Sequence, residues 1–380
     1  MMVTPAPETD DRAAALALAR DLVGGAVDAI APLRGGRNAR VFRVAAGGER
    51  FALKVFPPPA ADGRDRLATE VAALRLMQGA GISTVARVVA TDPARHGALL
   101  SWLDGEPIAA PSDADIDAAA AFLAALHALR ASAPARAFGR SAAEACLSGR
   151  EVERQIRARL VALNRRVMPS PVPGIHVLRY GKKDVDGRDK PGHDEGEGEA
   201  EAALAVFLHA AFAPALAASL ARAEQAFAAA GLDFATPLPQ EKQSLVPADF
   251  GFHNCLRGAD GRLSFLDFEY FGWDDPVKLT ADMLHHPGTP LGSPQATRLR
   301  AAALRIYGDD CAFAPRLAAL DPLFGLRWVL ILLNEFLPER WQGRVAAGDA
   351  DAWADAKARQ LACARELLAT LAPLPEAAHG

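Results

Sequence analysis

The chain of 380 residues lacks what several large protein classes require. Its four cysteines, Cys146, Cys255, Cys311 and Cys363, are far apart and form no CxxC pair. That argues against a zinc site or a disulfide framework and fits a reducing cytoplasm. Charge of one sign is not in excess: 42 Lys and Arg stand against 46 Asp and Glu, a formal net charge of -4, and the basic residues are scattered. Neither a nucleic acid nor an anionic membrane is expected as a partner. Residues Met1 to Asp10 show no basic start leading into an apolar block, and no apolar run of membrane-spanning length is expected. An unprocessed, soluble, cytoplasmic protein is the expectation.

The length suggests two domains or lobes. Residues 12–23 are rich in Ala and Leu with a helical period. The texture then changes to short alternating segments, Val41-Phe42-Arg43-Val44 and Phe51-Ala52-Leu53-Lys54-Val55-Phe56, separated by Gly47-Gly48, which predicts an antiparallel hairpin. Prolines 57–59 end the second strand. Leu67, Val71, Leu74 and Met77 then mark a helix over 65–78, and further strands are expected at Val85–Val89 and Ala98–Trp102. From residue 113 the pattern is helical, at 113–130, 141–165, 200–230, 295–307, 322–337 and 350–371. The spacing predicts an α+β, bilobal chain with a small β-rich lobe over 1–104 and a larger, mainly helical lobe over 105–380, meeting near Asp104-Gly105-Glu106-Pro107. Residues 168–201 break this texture with Pro169, Pro171, Pro173 and an alternating Glu/Gly run, and are read as a disordered insertion without catalytic purpose.

The chemistry concentrates in Pro247-Ala248-Asp249-Phe250-Gly251-Phe252-His253-Asn254 and Phe265-Leu266-Asp267-Phe268-Glu269. An Asp precedes an Asn by five positions, and a second Asp returns in an apolar run after the turn Gly258-Ala259-Asp260-Gly261. This is the layout of a Mg2+-dependent phosphoryl-transfer site using ATP: a carboxylate, Asp249, for the proton of the acceptor hydroxyl, and hard oxygen ligands, Asn254 and Asp267, to hold Mg2+ against the phosphates. Asp249-Phe250-Gly251 is not itself the metal-binding element, because that ordering needs an Asp-x4-Asn upstream and Asp233 is followed at that spacing by Leu238.

Upstream, Lys54 lies in an apolar strand with Glu70 on the following helix. Paired, they would aim an ammonium at the α- and β-phosphates; apart, they are an edge-strand lysine and an exposed helix acid. The loop Arg34-Gly35-Gly36-Arg37-Asn38-Ala39-Arg40 offers backbone N–H groups for phosphate through Gly35 and Gly36, or is a plain hairpin turn; it is not a GxxxxGK[ST] loop. Asp274, Asp275 and Asp282 are read as helix-capping and loop-bracing acids. Glu269 is read as an aid to a second metal position or as acceptor of a substrate amine. His253 is read as bracing the loop or contacting a phosphate, and the adjacent His285 and His286 as satisfied or surface residues. The apolar helix Leu326–Phe336 is read as a core helix or a support for the acceptor side, with Asn334 and Glu335 as its polar exceptions.

These residues resemble the aminoglycoside phosphotransferase and choline kinase-like family, which has the protein-kinase-like fold. The resemblance implies Lys54 as the nucleotide lysine, Glu70 as its helix partner, Leu100–Gly105 as an inter-lobe hinge and Leu126-His127-Ala128-Leu129 as the helix before the insertion. It implies Asp249 and Asn254 in the catalytic loop and Asp267 as the metal acid. The family's loop usually begins His-Gly-Asp, where this chain has Pro247-Ala248-Asp249. The expectation is an ATP-dependent small-molecule kinase acting on a polar alcohol such as a sugar, amino sugar, aminocyclitol or amino alcohol. The alternative is a nucleotide-binding or scaffold protein of the same fold that has lost turnover. A protein-directed kinase is disfavoured, since no APE-like closure follows Asp267.

Overall fold

A computed structural model describes residues 7–33, 39–59, 63–167, 195–341 and 353–371. The chain divides into two compact units, one made of Met1–Gly149 with Ala230–Asp321, the other of Arg150–Ala229 with Pro322–Gly380.

The first unit opens with helix α1 (Pro7–Val23) and a five-stranded antiparallel sheet of β1 (Ala29–Leu33), β2 (Arg40–Ala46), β3 (Glu49–Val55), β4 (Val88–Asp92) and β5 (Gly97–Ser101), in the order β1-β2-β3-β5-β4. Gly47 and Gly48, both at positive φ, make the two-residue turn joining β2 to β3, as the alternation predicts. Because side chains alternate along a strand, β3 serves two cores. Leu53 joins Leu18, Ile30, Phe42, Val44 and Leu99 on the α1 side. Lys54 points the other way, toward helix α2 (Arg66–Gly79), which starts on an Asp65 cap whose carboxylate accepts from the Ala68 N–H at 2.9 Å.

That second core continues from α2 through Phe122, Phe250, Phe252, Phe265, Phe268 and Phe271. The ring of Phe122 stacks on Phe265 with centroids 4.3 Å apart. Phe122 belongs to helix α3 (Asp113–Leu129), entered through a Ser112–Asp115 capping box; the short α4 (Ala133–Phe138) follows. The short strands β6 (Glu106–Pro107), β8 (Cys255–Arg257) and β9 (Leu263–Phe265) form one ladder, and β7 (Ser244–Val246) pairs with β10 (Gly272–Asp274). Helices α8 (Pro276–His285) and α9 (Ser293–Ile306) complete the unit as far as α10 (Phe313–Leu332).

In the second unit, α5 (Gly149–Val167), α6 (Glu195–Phe207), α7 (Ala213–Ala229), the end of α10 and α11 (Trp353–Leu371) bury Ile156, Phe212, Phe324, Val329, Leu330 and Phe336. Lys357 is fully buried there. It donates to Glu201 at 2.7 Å and lies 3.8 Å from the Trp353 ring centroid, so its charge is met on both sides.

Four expectations change. Residues 141–148 are not helical, because their backbone is engaged elsewhere: the Ala142 N–H donates to the Trp273 carbonyl, that of Ala143 to Tyr270, and that of Cys146 to the Asp274 carboxylate. The strand expected at Val85–Val89 begins at Val88, and Val85 makes only an isolated bridge to Phe265. Of the expected insertion, 168–194 lie outside the described residues, whereas 195–201 begin α6, where Glu201 is fixed by Lys357. Finally, two helices, Gly198–Ala229 and Phe313–Phe336, are long and apolar enough to cross a membrane by length and composition. Isolated polar residues such as His209 and Arg327 interrupt their runs without making them hydrophilic, which is why a search for unbroken runs misses them. Most of the apolar window of Phe313–Phe336 is buried, as in a core helix.

Candidate functional site

Lys54 is 8 % exposed, and a buried ammonium needs compensation. Its Nζ lies 2.6 Å from Glu70 Oε2 and 2.6 Å from Asp267 Oδ1. The strand lysine and the helix glutamate, each commonplace alone, are therefore one buried pair that also reaches Asp267, more than two hundred residues on. Burial works against the charge on Lys54, but the carboxylates of Glu70 and Asp267 outweigh it and lift the ammonium above its ordinary range, so it stays charged. The Asp267 side chain remains about a third exposed, leaving an oxygen face for a cation.

Glu269 sits two residues further on with its side chain almost fully buried. Both of its carboxylate oxygens lack a hydrogen-bond partner, and the nearest guanidinium, that of Arg66, is 3.8 Å away. Burial, reinforced by the charge of Asp267, pushes the Glu269 carboxyl up to about 7. Glu70, Asp267 and Glu269 each bring a carboxylate oxygen within 4.8 Å of the others. A cavity of about 300 Å³ opens beside them, lined by Glu269, Tyr270, Arg64, Asp65, Thr69 and Arg140.

The Asp249 loop is built by strain and hydrogen bonds. Ala248 has φ of 66° and the Asp249 N–H donates to the Pro247 carbonyl at 3.0 Å, closing a three-residue turn of the γ type. Asp267 is also left-handed, with φ of 65°. Among the described residues only four non-glycines have positive φ, and two of them flank or form the predicted catalytic pair, in keeping with the tendency of strained backbone to cluster at functional sites. Asn254 Nδ2 donates to the Asp249 carbonyl at 2.9 Å, which turns its Oδ1 away as an acceptor, and the Asn254 carbonyl receives the Leu266 N–H at 2.9 Å. The two predicted metal ligands are thus tied through adjacent backbone.

His253 and His286 close on Asp249. Their Nε2 atoms are 3.5 and 3.6 Å from Asp249 Oδ1, and the rings stack at 4.0 Å with 7° between planes. Burial opposes ionisation of Asp249, but the two imidazoles hold its carboxyl well below the usual range. His253 thus lies against the Asp249 carboxylate within the same loop. His285 and His286 both take the satisfied alternative, with different partners: His286 receives the Gly288 N–H and lies against the Asp249 carboxylate, which the sequence did not name as its partner, whereas His285 meets Asp321 at 2.9 Å. The adjacency of the two histidines hid this, because only the end of α8 shows that they point apart.

Of the remaining acids, Asp275 caps α8 through the Val277 N–H at 2.9 Å and holds Arg316, and Asp274 and Asp282 flank the buried Lys278 at 3.5 and 3.0 Å. Of the three acids, the capping role is thus observed for Asp275. Gly35 and Gly36 lie outside the described residues. Leu326, Val329, Leu330, Leu333 and Phe336 are core of the second unit, and Glu335 is buried with them.

The donor set Asn254, Asp267 and Glu269 is all oxygen, which suits Mg2+ rather than a softer metal, and the unpartnered oxygens of Glu269 are what a cation would satisfy. The residues present therefore fit Mg2+ held against phosphates.

A model of the "phosphotransferase enzyme family" matches residues 29–315. No curated protein matches the chain by sequence. Among solved structures, an ethanolamine kinase of Plasmodium vivax superposes with a TM-score of 0.53 at 11% identity, over 93% of this chain and 87% of that one. A choline kinase of Streptococcus pneumoniae gives 0.52 at 14% identity, over 95% and 99%. A spectinomycin phosphotransferase bound to ADP and spectinomycin gives 0.53 at 11% identity, over 89% and 94%. At these identities the likeness is one of fold, the α+β protein-kinase-like fold.

Proposed function

Because the chain belongs to the phosphotransferase enzyme family, we propose that it is an ATP-dependent small-molecule kinase that passes the γ-phosphoryl group to a hydroxyl of a polar acceptor. The observation that carries this reading is the buried contact of Lys54 with both Glu70 and Asp267, an arrangement that leaves a charged ammonium and an oxygen ligand at one place. In this reading Lys54 meets the α- and β-phosphates, Glu70 keeps it aimed, and Asn254 and Asp267 hold Mg2+, with Glu269 beside them as a further oxygen donor. Mg2+, when bound, neutralises charge on the phosphates and draws them into line. Asp249 orients the acceptor hydroxyl and takes its proton as the oxygen attacks phosphorus. That Asp249 stays ionised supports this role.

The acceptor class rests on the company of folds, which includes kinases of ethanolamine and choline and a spectinomycin phosphotransferase. Amino alcohols, aminocyclitols and amino sugars are the first acceptors to test. Incubation of the protein with γ-labelled Mg-ATP and panels of each class should yield a phosphorylated product from one panel. A protein that binds nucleotide but labels nothing across all panels would favour the scaffold reading.

A further inference from the structure

The position where the family's loop histidine is expected holds Pro247, yet two imidazoles reach the Asp249 carboxylate from elsewhere. Resting on the reading of Asp249 as the proton acceptor, we propose that His286 is a positioning residue for it, assisted by His253, and takes over the bracing that Pro247 cannot give. Three observations carry this.

The first is a fixed tautomer. The Gly288 backbone N–H donates to His286 Nδ1 at 3.0 Å. A nitrogen that accepts a hydrogen bond carries no proton, so the neutral ring bears its proton on Nε2, the atom that faces Asp249. His286 is thereby a donor toward the carboxylate without having to be charged.

The second is room made by two glycines. A Cβ on Gly251 would come within 2.8 Å of His253 Nδ1, and one on Gly288 within 2.9 Å of His286 Cε1. Any other residue at either position would force the ring or the backbone to shift.

The third is convergence. Both Nε2 atoms address the same oxygen, Oδ1, at 3.5 and 3.6 Å. These distances exceed a closed hydrogen bond, as catalytic contacts commonly do before substrate draws them in. The pair leaves Oδ2 for the acceptor hydroxyl. A transition metal at Asp249, His253 and His286 is the competing use of the cluster. The Gly288 contact argues against it, since it keeps the coordinating lone pair of His286 Nε2 occupied by a proton.

The test uses the full-length protein with His286→Ala, His286→Gln and Gly288→Ala, alongside Asp249→Asn. A positioning role predicts that His286→Ala lowers kcat by about 10- to 100-fold with KM for ATP within about twofold, and that His286→Gln, which keeps a neutral donor, recovers most of that loss. Gly288→Ala should behave like His286→Ala. Long-range imidazole nitrogen NMR of the wild type should show His286 in the Nε2–H form whether or not an acceptor has been found. An unchanged kcat in His286→Ala, or a neutral ring protonated on Nδ1, overturns the proposal. So does an equal loss of ATP affinity and melting temperature in both His286 variants, which would make the ring merely structural. Absence of any Asp249-dependent transfer in the wild type is a different failure: it removes the kinase reading, while the NMR result still decides whether His286 donates to Asp249.

Discussion

Ala248 shows most plainly how one side chain departs from what its backbone asks for. An L-residue in the left-handed region costs about 1–2 kcal/mol, and φ of 66° at Ala248 is imposed by the turn that presents Asp249. Glycine relieves that strain but loses about 0.5–1 kcal/mol of it to the greater freedom of the unfolded chain. Ala248→Gly should therefore stabilise the protein by up to about 1 kcal/mol, measurable as a rise in urea midpoint; a fall would mean that the methyl group itself packs usefully. Asp274 makes a second prediction. Fully buried, its carboxyl is pushed up to about 6 by burial, against the pull of Lys278 and two backbone N–H donors. The folded state then holds a proton that the unfolded chain releases near pH 4, so this residue lowers stability as pH rises from about 4 to 6 and has no further effect above. Asp274→Asn keeps an acceptor for the Cys146 and Asp275 N–H groups. Its melting temperature relative to wild type should climb across that window; a constant difference from pH 4 to 7 would refute the assignment. At this scale residue type and offset singled out residues that the structure brings together: Lys54 with Glu70 and Asp267, and Asn254 with Asp249. The sequence did not name Asp249 as the partner of His286, which sits at the C-cap of α8, and it was silent on the two left-handed backbones, since neither Ala nor Asp announces positive φ.

Elements were legible where period and punctuation agree. The β2–β3 hairpin and helices α2, α3 and α9 follow from alternation, from Gly47-Gly48, and from apolar spacing. Residues 141–148 misled because their Ala-rich composition favours a helix, while β10 and Asp274 claim the backbone donors instead. The same region holds the ion pair that anchors α8 to the start of α10: Arg316 donates to both oxygens of Asp275 at 3.0 and 3.2 Å, with both side chains under a tenth exposed. Removing one partner strands a buried charge, at a cost of about 3–5 kcal/mol. Arg316→Leu should lower stability by that amount in chemical denaturation. A loss below about 1 kcal/mol would show that water reaches Asp275 after all.

For the whole molecule, the β-rich start and helical remainder were readable from texture alone, whereas the assignment of chain to compact units was not, because the second unit gathers 150–229 with 322–380 across a gap in sequence. Residues 168–194 are poor in large apolar groups and contain none of the proposed site residues. Replacing them with a short Gly/Ser linker should leave kcat within about twofold; a large loss with folding preserved would assign them a part in turnover. The central claim is that Asp249 serves a phosphoryl transfer whose nucleotide is held by Lys54, Asn254 and Asp267. It is tested most directly by measuring transfer from γ-labelled Mg-ATP to a small-molecule acceptor in wild type and Asp249→Asn, with nucleotide affinity measured on both. The account predicts labelled product in the wild type, a loss of about 100-fold or more in the variant, and equal nucleotide affinity. Transfer that persists undiminished in Asp249→Asn would contradict it.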